Sequence, residues 1–168
     1  VIVLDNSYSM GMSDGTKARF EKAQEVALQA LNAMPAGSAT AVLFASDLVS
    51  AAIPEPTFDL NLARKVIREA PLSDRGTDLF PAIQKAVDTL KGRLVIRKEI
   101  YVITDGQSAG WRQLAEIQTT LERARMTFDE AERKPVAVKA LSDLDRAKKL
   151  LAESGKPLAP DADAELTL

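Results

Sequence analysis

The apolar positions of this chain come in two patterns that alternate along its length. The first is the short continuous run: Val1 to Leu4 (VIVL), Thr40 to Ala45 (TAVLFA) and Glu99 to Thr104 (EIYVIT). Runs rich in β-branched residues with no polar alternation predict strands buried on both faces, the mark of a parallel sheet. Pro135 to Ala140 (PVAVKA) is a weaker strand candidate of the same kind. The second pattern has helical spacing. Phe20, Ala23, Ala27, Ala30, Leu31 and Met34 recur at three- and four-residue steps from Thr16 until Pro35 and Gly37. Together they predict one stripe of an amphipathic helix. Similar stripes predict helices over Asp59–Glu69, with Leu62, Val66 and Ile67 inward, and from near Thr77, with Pro81 in the first turn and Leu79, Ile83, Val87 and Leu90 inward. A long helical pattern runs from about Arg112 to Arg133, and a further helix is expected over Leu141–Glu153.

Val49 to Ile53 predicts a shorter strand, joined to the run before it only by Ser46, Asp47 and Leu48. So short a link suits an antiparallel hairpin, because a parallel return needs a crossover of a dozen residues or more. Pro54 and Pro56 are expected to close that strand near a sheet edge. The resulting fold class is α/β: a three-layer, doubly wound, mostly parallel sheet with one short antiparallel edge strand. One domain is expected over residues 1–155. A loose Pro- and Asp-rich tail is expected over 156–168, with Glu165 to Leu168 reading as a broken-off strand.

Composition narrows the chemistry more than the fold. The 168 residues are enough to bury about two thirds of the unfolded surface as one domain. A net charge of −2 provides no global basic field for nucleic acid, and Arg123, Arg125, Arg133 and Lys134 alternate with acids as a solvated helix face does. The chain has no cysteine, which excludes disulfides, thiolate metal sites and cysteine nucleophiles. It also has no histidine, the commonest general base and transition-metal ligand. Any metal must therefore be held by oxygen, which favours magnesium, manganese or calcium. No apolar run reaches the length of a membrane span, and the chain opens inside a strand without an initiator Met, as a segment of a longer protein would.

The candidate chemistry lies in the loops after the first and third continuous runs. In a doubly wound sheet both loops fall on one edge, where ligands bind. Asp5-Asn6-Ser7-Tyr8-Ser9 offers one carboxylate and two hydroxyls at alternate positions, and a loop curling around a point can turn all three toward a hard cation. The same residues also suit a plainer role, capping a helix or satisfying loop amides.

Asp-x-Ser-x-Ser after an apolar strand resembles the metal-ion-dependent adhesion site of von Willebrand factor A-type domains. That resemblance extends to Arg75-Gly76-Thr77-Asp78 and Thr104-Asp105-Gly106, where the family places a Thr before a mid-chain helix and an Asp at a strand end. It covers about residues 1–134, and DNSYSM, RGTDL and YVITDGQSAGW are most similar to bacterial aerotolerance-operon-type members.

The resemblance implies a metal site of Asp5, Ser7, Ser9, Thr77 and Asp105, with magnesium as the ion and manganese or calcium as alternatives. Ser7 and Ser9 would ligate directly. Thr77 would ligate directly in the ligand-ready state, and Asp5 and Asp105 would act mostly through water. It also implies a protein partner that offers an Asp or Glu to the metal, no catalytic residue, and a membrane-associated bacterial parent protein anchored outside this segment. The family normally closes with a sixth strand and a final helix. Here the last third departs from that pattern, as a truncated or divergent end.

Several neighbours carry two readings. Asp78 either touches the site or sits in a helix's first turn, where the macrodipole favours it. Trp111 either contacts a partner or covers the end of the sheet, and Tyr8 either rims the site or packs beneath its loop. Met10 and Met12 suit loop packing. Two rival functions also stand beside the interaction module. One is a magnesium-dependent phosphatase using an aspartate nucleophile, although the second Asp such chemistry wants two residues on is Ser7. The other is a metal that only stabilises the fold.

Overall fold

The computed structural model describes residues 1–13, 15, 17–93, 97–132, 137–141 and 165–166. Strand β1 (Ile2–Asp5) is followed by helix α1 (Arg19–Asn32), β2 (Thr40–Ala45), β3 (Val49–Thr57), α2 (Leu60–Arg68) and α3 (Phe80–Leu90). Then come β4 (Glu99–Ile103), α4 (Leu114–Glu132), β5 (Ala137–Leu141) and β6 (Glu165–Leu166). The sheet order is β3-β2-β1-β4-β5-β6. Strand β1 pairs in parallel with both β2 and β4, β4 pairs in parallel with β5, and β3 and β6 are antiparallel edges.

Why the continuous runs are buried on both faces is visible in their alternation. Ile2 and Leu4 of β1, Val42 and Phe44 of β2, and Tyr101 and Ile103 of β4 face one core with α1 and α2. Val3, Ala41, Leu43, Ala45, Ile100 and Val102 face the other core with α3 and α4. Each strand thus supplies two cores at once, so no position in it tolerates a polar side chain cheaply. The three-layer, doubly wound arrangement is the one the apolar pattern predicts.

Several boundaries differ from the pattern-based reading. Strand β3 does not stop at Ile53 but runs through Pro54 and Pro56 to Thr57. It is an edge strand, bonded to β2 alone, with register shifts between Thr40 and Leu43, and an edge can carry prolines because it lacks a second neighbour to bond. Leu62 is 44% exposed rather than inward. Asp59 caps α2 by accepting from the Asn61 and Leu62 amides at 3.0 Å each. That start turns Ala63 and Ile67, one helical turn apart, into the core. Helix α3 begins at Phe80 rather than Thr77: the Leu79 carbonyl accepts the Ile83 amide, and the amides of Asp78 and Leu79 bond to the Ser46 and Gly110 carbonyls on neighbouring loops.

The strand candidate at PVAVKA is borne out over its described part, as Ala137–Leu141, with Pro135 and Val136 outside the described residues, and Glu165–Leu166 pairs beside it. The helix expected over Leu141–Glu153 lies, beyond Leu141, outside the described residues, as does the proposed division at 155. Among the described residues no helix is long and apolar enough to cross a membrane.

Because Leu43 is fully buried at the middle of β2, Leu43→Ala is expected to cost about 3 kcal/mol and lower the melting temperature by roughly 6–12 °C. Urea unfolding read by circular dichroism measures it. A loss below about 1 kcal/mol would contradict the two-faced packing.

A buried carboxylate beneath a hydroxyl cluster

The chain leaves β1 toward β2 on one side and later returns to β4 on the other, so the strand order reverses between β1 and β4. This is the crevice where open α/β sheets bind ligands, at the carboxyl ends of the strands. Leu4 is in register with Ile103, which sets Asp5 beside Thr104.

Asp5 is wholly buried there. Its Oδ1 accepts the Ser7 amide at 2.9 Å and its Oδ2 accepts the Thr104 hydroxyl at 2.6 Å. Burial pushes its carboxyl up from the ordinary value of 3.8, against the lowering effect of those hydrogen bonds, and the charge of Asp105 pushes it further the same way. The two carboxylates are therefore close enough to repel.

Above Asp5 the chain makes a 3-10 turn at Tyr8–Gly11. The Ser7 and Ser9 hydroxyl oxygens lie 3.3 Å apart, and the Thr77 hydroxyl donates to Ser7 Oγ at 2.6 Å. Thr77 arrives from far along the sequence on a loop that is well clamped. The Asn6 side-chain amide donates to the Pro71 carbonyl at 2.9 Å, Ser73 N to the Asn6 carbonyl at 2.7 Å and Tyr8 N to the Arg75 carbonyl at 2.8 Å. Gly110 completes the support. A Cβ there would come within 2.9 Å of Thr77 Cγ2 and 3.3 Å of Leu79 Cδ1, so only glycine lets the two loops approach this closely.

Asp105 sits on the third loop. Its Oδ2 takes the Arg19 guanidinium at 3.1 Å and its Oδ1 the Gln107 amide at 3.3 Å. Gly106 holds a φ of 72°, which turns the chain sharply after the aspartate.

All five sequence-derived site residues thus meet at one end of β1 and β4. Two more belong with them. Thr104 orients Asp5, and its place in Thr-Asp-Gly was legible although its bond was not. Arg19 carries no signal in the sequence, where the helical pattern starts at Thr16; only the structure makes it the first residue of α1.

The neighbours divide between their two readings. Asp78 Oδ1 accepts the Phe80 amide, an N-terminal helix role. Trp111 packs against the α3/α4 core. Tyr8, 69% exposed, rims the site rather than lying beneath it. Met10 is buried and Met12 is 54% exposed.

The donor set suits a hard cation. Neighbouring oxygens around an octahedral magnesium are about 3 Å apart, a value the 2.6 and 3.3 Å spacings of this hydroxyl cluster bracket. Among the described residues no group of three or more carboxylates gathers, so hydroxyls would have to supply the direct contacts.

The family model for the von Willebrand factor type A domain matches residues 1–107. The chain belongs to the von Willebrand factor type A family. Domains of this family are protein-interaction modules, and that general role comes with membership. Solved von Willebrand factor A-type structures share the fold at low identity. BatB from Bacteroides thetaiotaomicron is 20% identical with a TM-score of 0.66, over 83% of this chain and 63% of its own. An aerotolerance-related membrane protein from Bacteroides fragilis, with multiple mutations to serines, is 22% identical with a TM-score of 0.62, over 83% and 64%. A von Willebrand factor type A protein from Catenulispora acidiphila is 14% identical with a TM-score of 0.61, over 92% and 42%. The chain therefore spans under two thirds of the length of each of these three structures. Among curated proteins none matches it.

The raised Asp5 carboxyl has a consequence for the metal-free protein. A folded pKa above the unfolded one favours the protonated folded state, so Asp5's contribution to stability is full below about pH 3.8 and is lost as pH rises through the folded value. In chelator, Asp5→Asn is expected to gain stability relative to wild type as pH rises above about 3.8. Denaturant unfolding at a series of pH values tests this. A difference independent of pH would show that the carboxylate is not buried as described.

Proposed function

We propose that this domain captures a protein partner through a divalent cation, magnesium first, held at the β1/β4 crevice by Ser7, Ser9 and Thr77 with Asp5 and Asp105 behind them. The observation that carries this reading is the hydroxyl cluster itself: three hydroxyls drawn from two distant loops, set beside two carboxylates whose oxygens are already engaged by protein donors. Asp5 and Asp105 would steady the hydroxyls and bridging waters rather than neutralise the ion directly. A bound ion would supply a Lewis-acidic centre whose shell an Asp or Glu from the partner would complete. Exposed Tyr8 and Met12 give the contact apolar area around that polar centre.

Capture rather than catalysis fits Asp5's position. The Asp5 side chain is wholly buried, whereas a phosphatase nucleophile has to reach a phosphate lying in the open crevice. The named aerotolerance-related membrane protein among the similar structures supports placing the parent chain at a membrane, by a segment outside these residues.

Asp5→Ala and Thr77→Ala are each expected to weaken magnesium binding about 10- to 100-fold by calorimetry. A pull-down from the source cells is expected to retain partners in magnesium and release them in chelator. If both variants bind magnesium as wild type does, the site is misassigned. Partners retained in chelator, together with a chelator-lowered melting temperature, would make the ion purely structural.

A further inference from the structure

Arg19 is the first residue of α1, where the helix dipole presents partial positive charge and disfavours a cation. It is nonetheless placed with care. Its amide donates to the Met12 carbonyl at 2.9 Å, just beyond a bridge between Ser13 and Ala18, so the loop carrying Ser7 and Ser9 also sets the start of α1. Its guanidinium then reaches Asp105, a residue 86 positions away, whose side chain is only 4% exposed. An ion pair so sheltered is screened far less than a surface pair.

We infer that Arg19 sets the charge of the cation site, loosening its hold on the metal while keeping a positive charge available for a partner's carboxylate. The inference rests on the cation reading above. Asp5 and Asp105 together balance a dication, and a site of those charges alone would be neutral once loaded, with little electrostatic pull on an incoming anion. Arg19, paired with Asp105, offsets part of the carboxylate charge. The loaded site then keeps more positive charge for an incoming Asp or Glu than it would without the guanidinium. The same charge repels the metal, so Arg19 exchanges metal affinity for anion affinity. A unit charge a few ångströms away in a partly buried site shifts each equilibrium by about tenfold or more.

The test compares wild type with Arg19→Gln and Arg19→Lys, using Ser7→Ala as a control. Manganese binding is followed by electron paramagnetic resonance, and acetate binding to the manganese-loaded protein by loss of water-proton relaxation. Arg19→Gln is expected to bind manganese about tenfold more tightly and acetate about tenfold more weakly. Arg19→Lys, which keeps the charge, is expected to stay near wild type in both. A merely structural ion pair would not move the two affinities in opposite directions. If Arg19→Gln leaves manganese affinity unchanged or lowers it while Ser7→Ala abolishes binding, the role of Arg19 is overturned and the cation reading stands. If wild type binds no manganese, both fall.

Discussion

Everything at this end of the sheet is arranged around a carboxylate that water cannot reach. Asp5 ends the central strand, and its burial would be costly without the amide of Ser7 and the hydroxyl of Thr104 on its two oxygens. Those two bonds do more than satisfy it. The first curls the chain so that Ser7 and Ser9 rise on the same side, and the second joins β1 to β4 across the point where the strand order reverses. The crevice is built around Asp5 as much as Asp5 is placed in the crevice.

The remaining parts follow from that constraint. A second carboxylate so near would raise the electrostatic cost, and Arg19 offsets it at Asp105. The hydroxyl of Thr77 completes a polar cluster that carries no charge of its own. Its loop is held by backbone bonds to Asn6, Tyr8, Ser46 and Gly110, so the cluster's geometry is supported by main chain on three sides. In the proposed mechanism this is how a cation could be bound firmly in position and weakly in charge, which leaves it attractive to a partner's anion.

Much of the fold was legible because it obeys local rules. The two-faced strands appear as continuous apolar runs, and the helices as stripes at three- and four-residue steps. Misreadings came where a neighbouring element decided. Pro54 and Pro56 look like a stop until β3 is known to be an edge, and Thr77 looks like a helix start until the Leu79 carbonyl is seen to accept the helix's first bond, from Ile83. Leu62 looks inward until the Asp59 cap sets the phase of its helix.

By itself the sequence determined the chemistry on offer. With no histidine or cysteine only oxygen could meet a metal, and Asp5, Ser7, Ser9, Thr77 and Asp105 stood at loop positions that a doubly wound sheet brings to one edge. Tertiary structure alone decided how those groups are charged and joined. Thr104 bonding to Asp5, Thr77 to Ser7 and Arg19 to Asp105 each connect residues 70 to 99 positions apart. Contacts between residues that distant depend on strand register and loop clamping, which no local pattern of residues encodes.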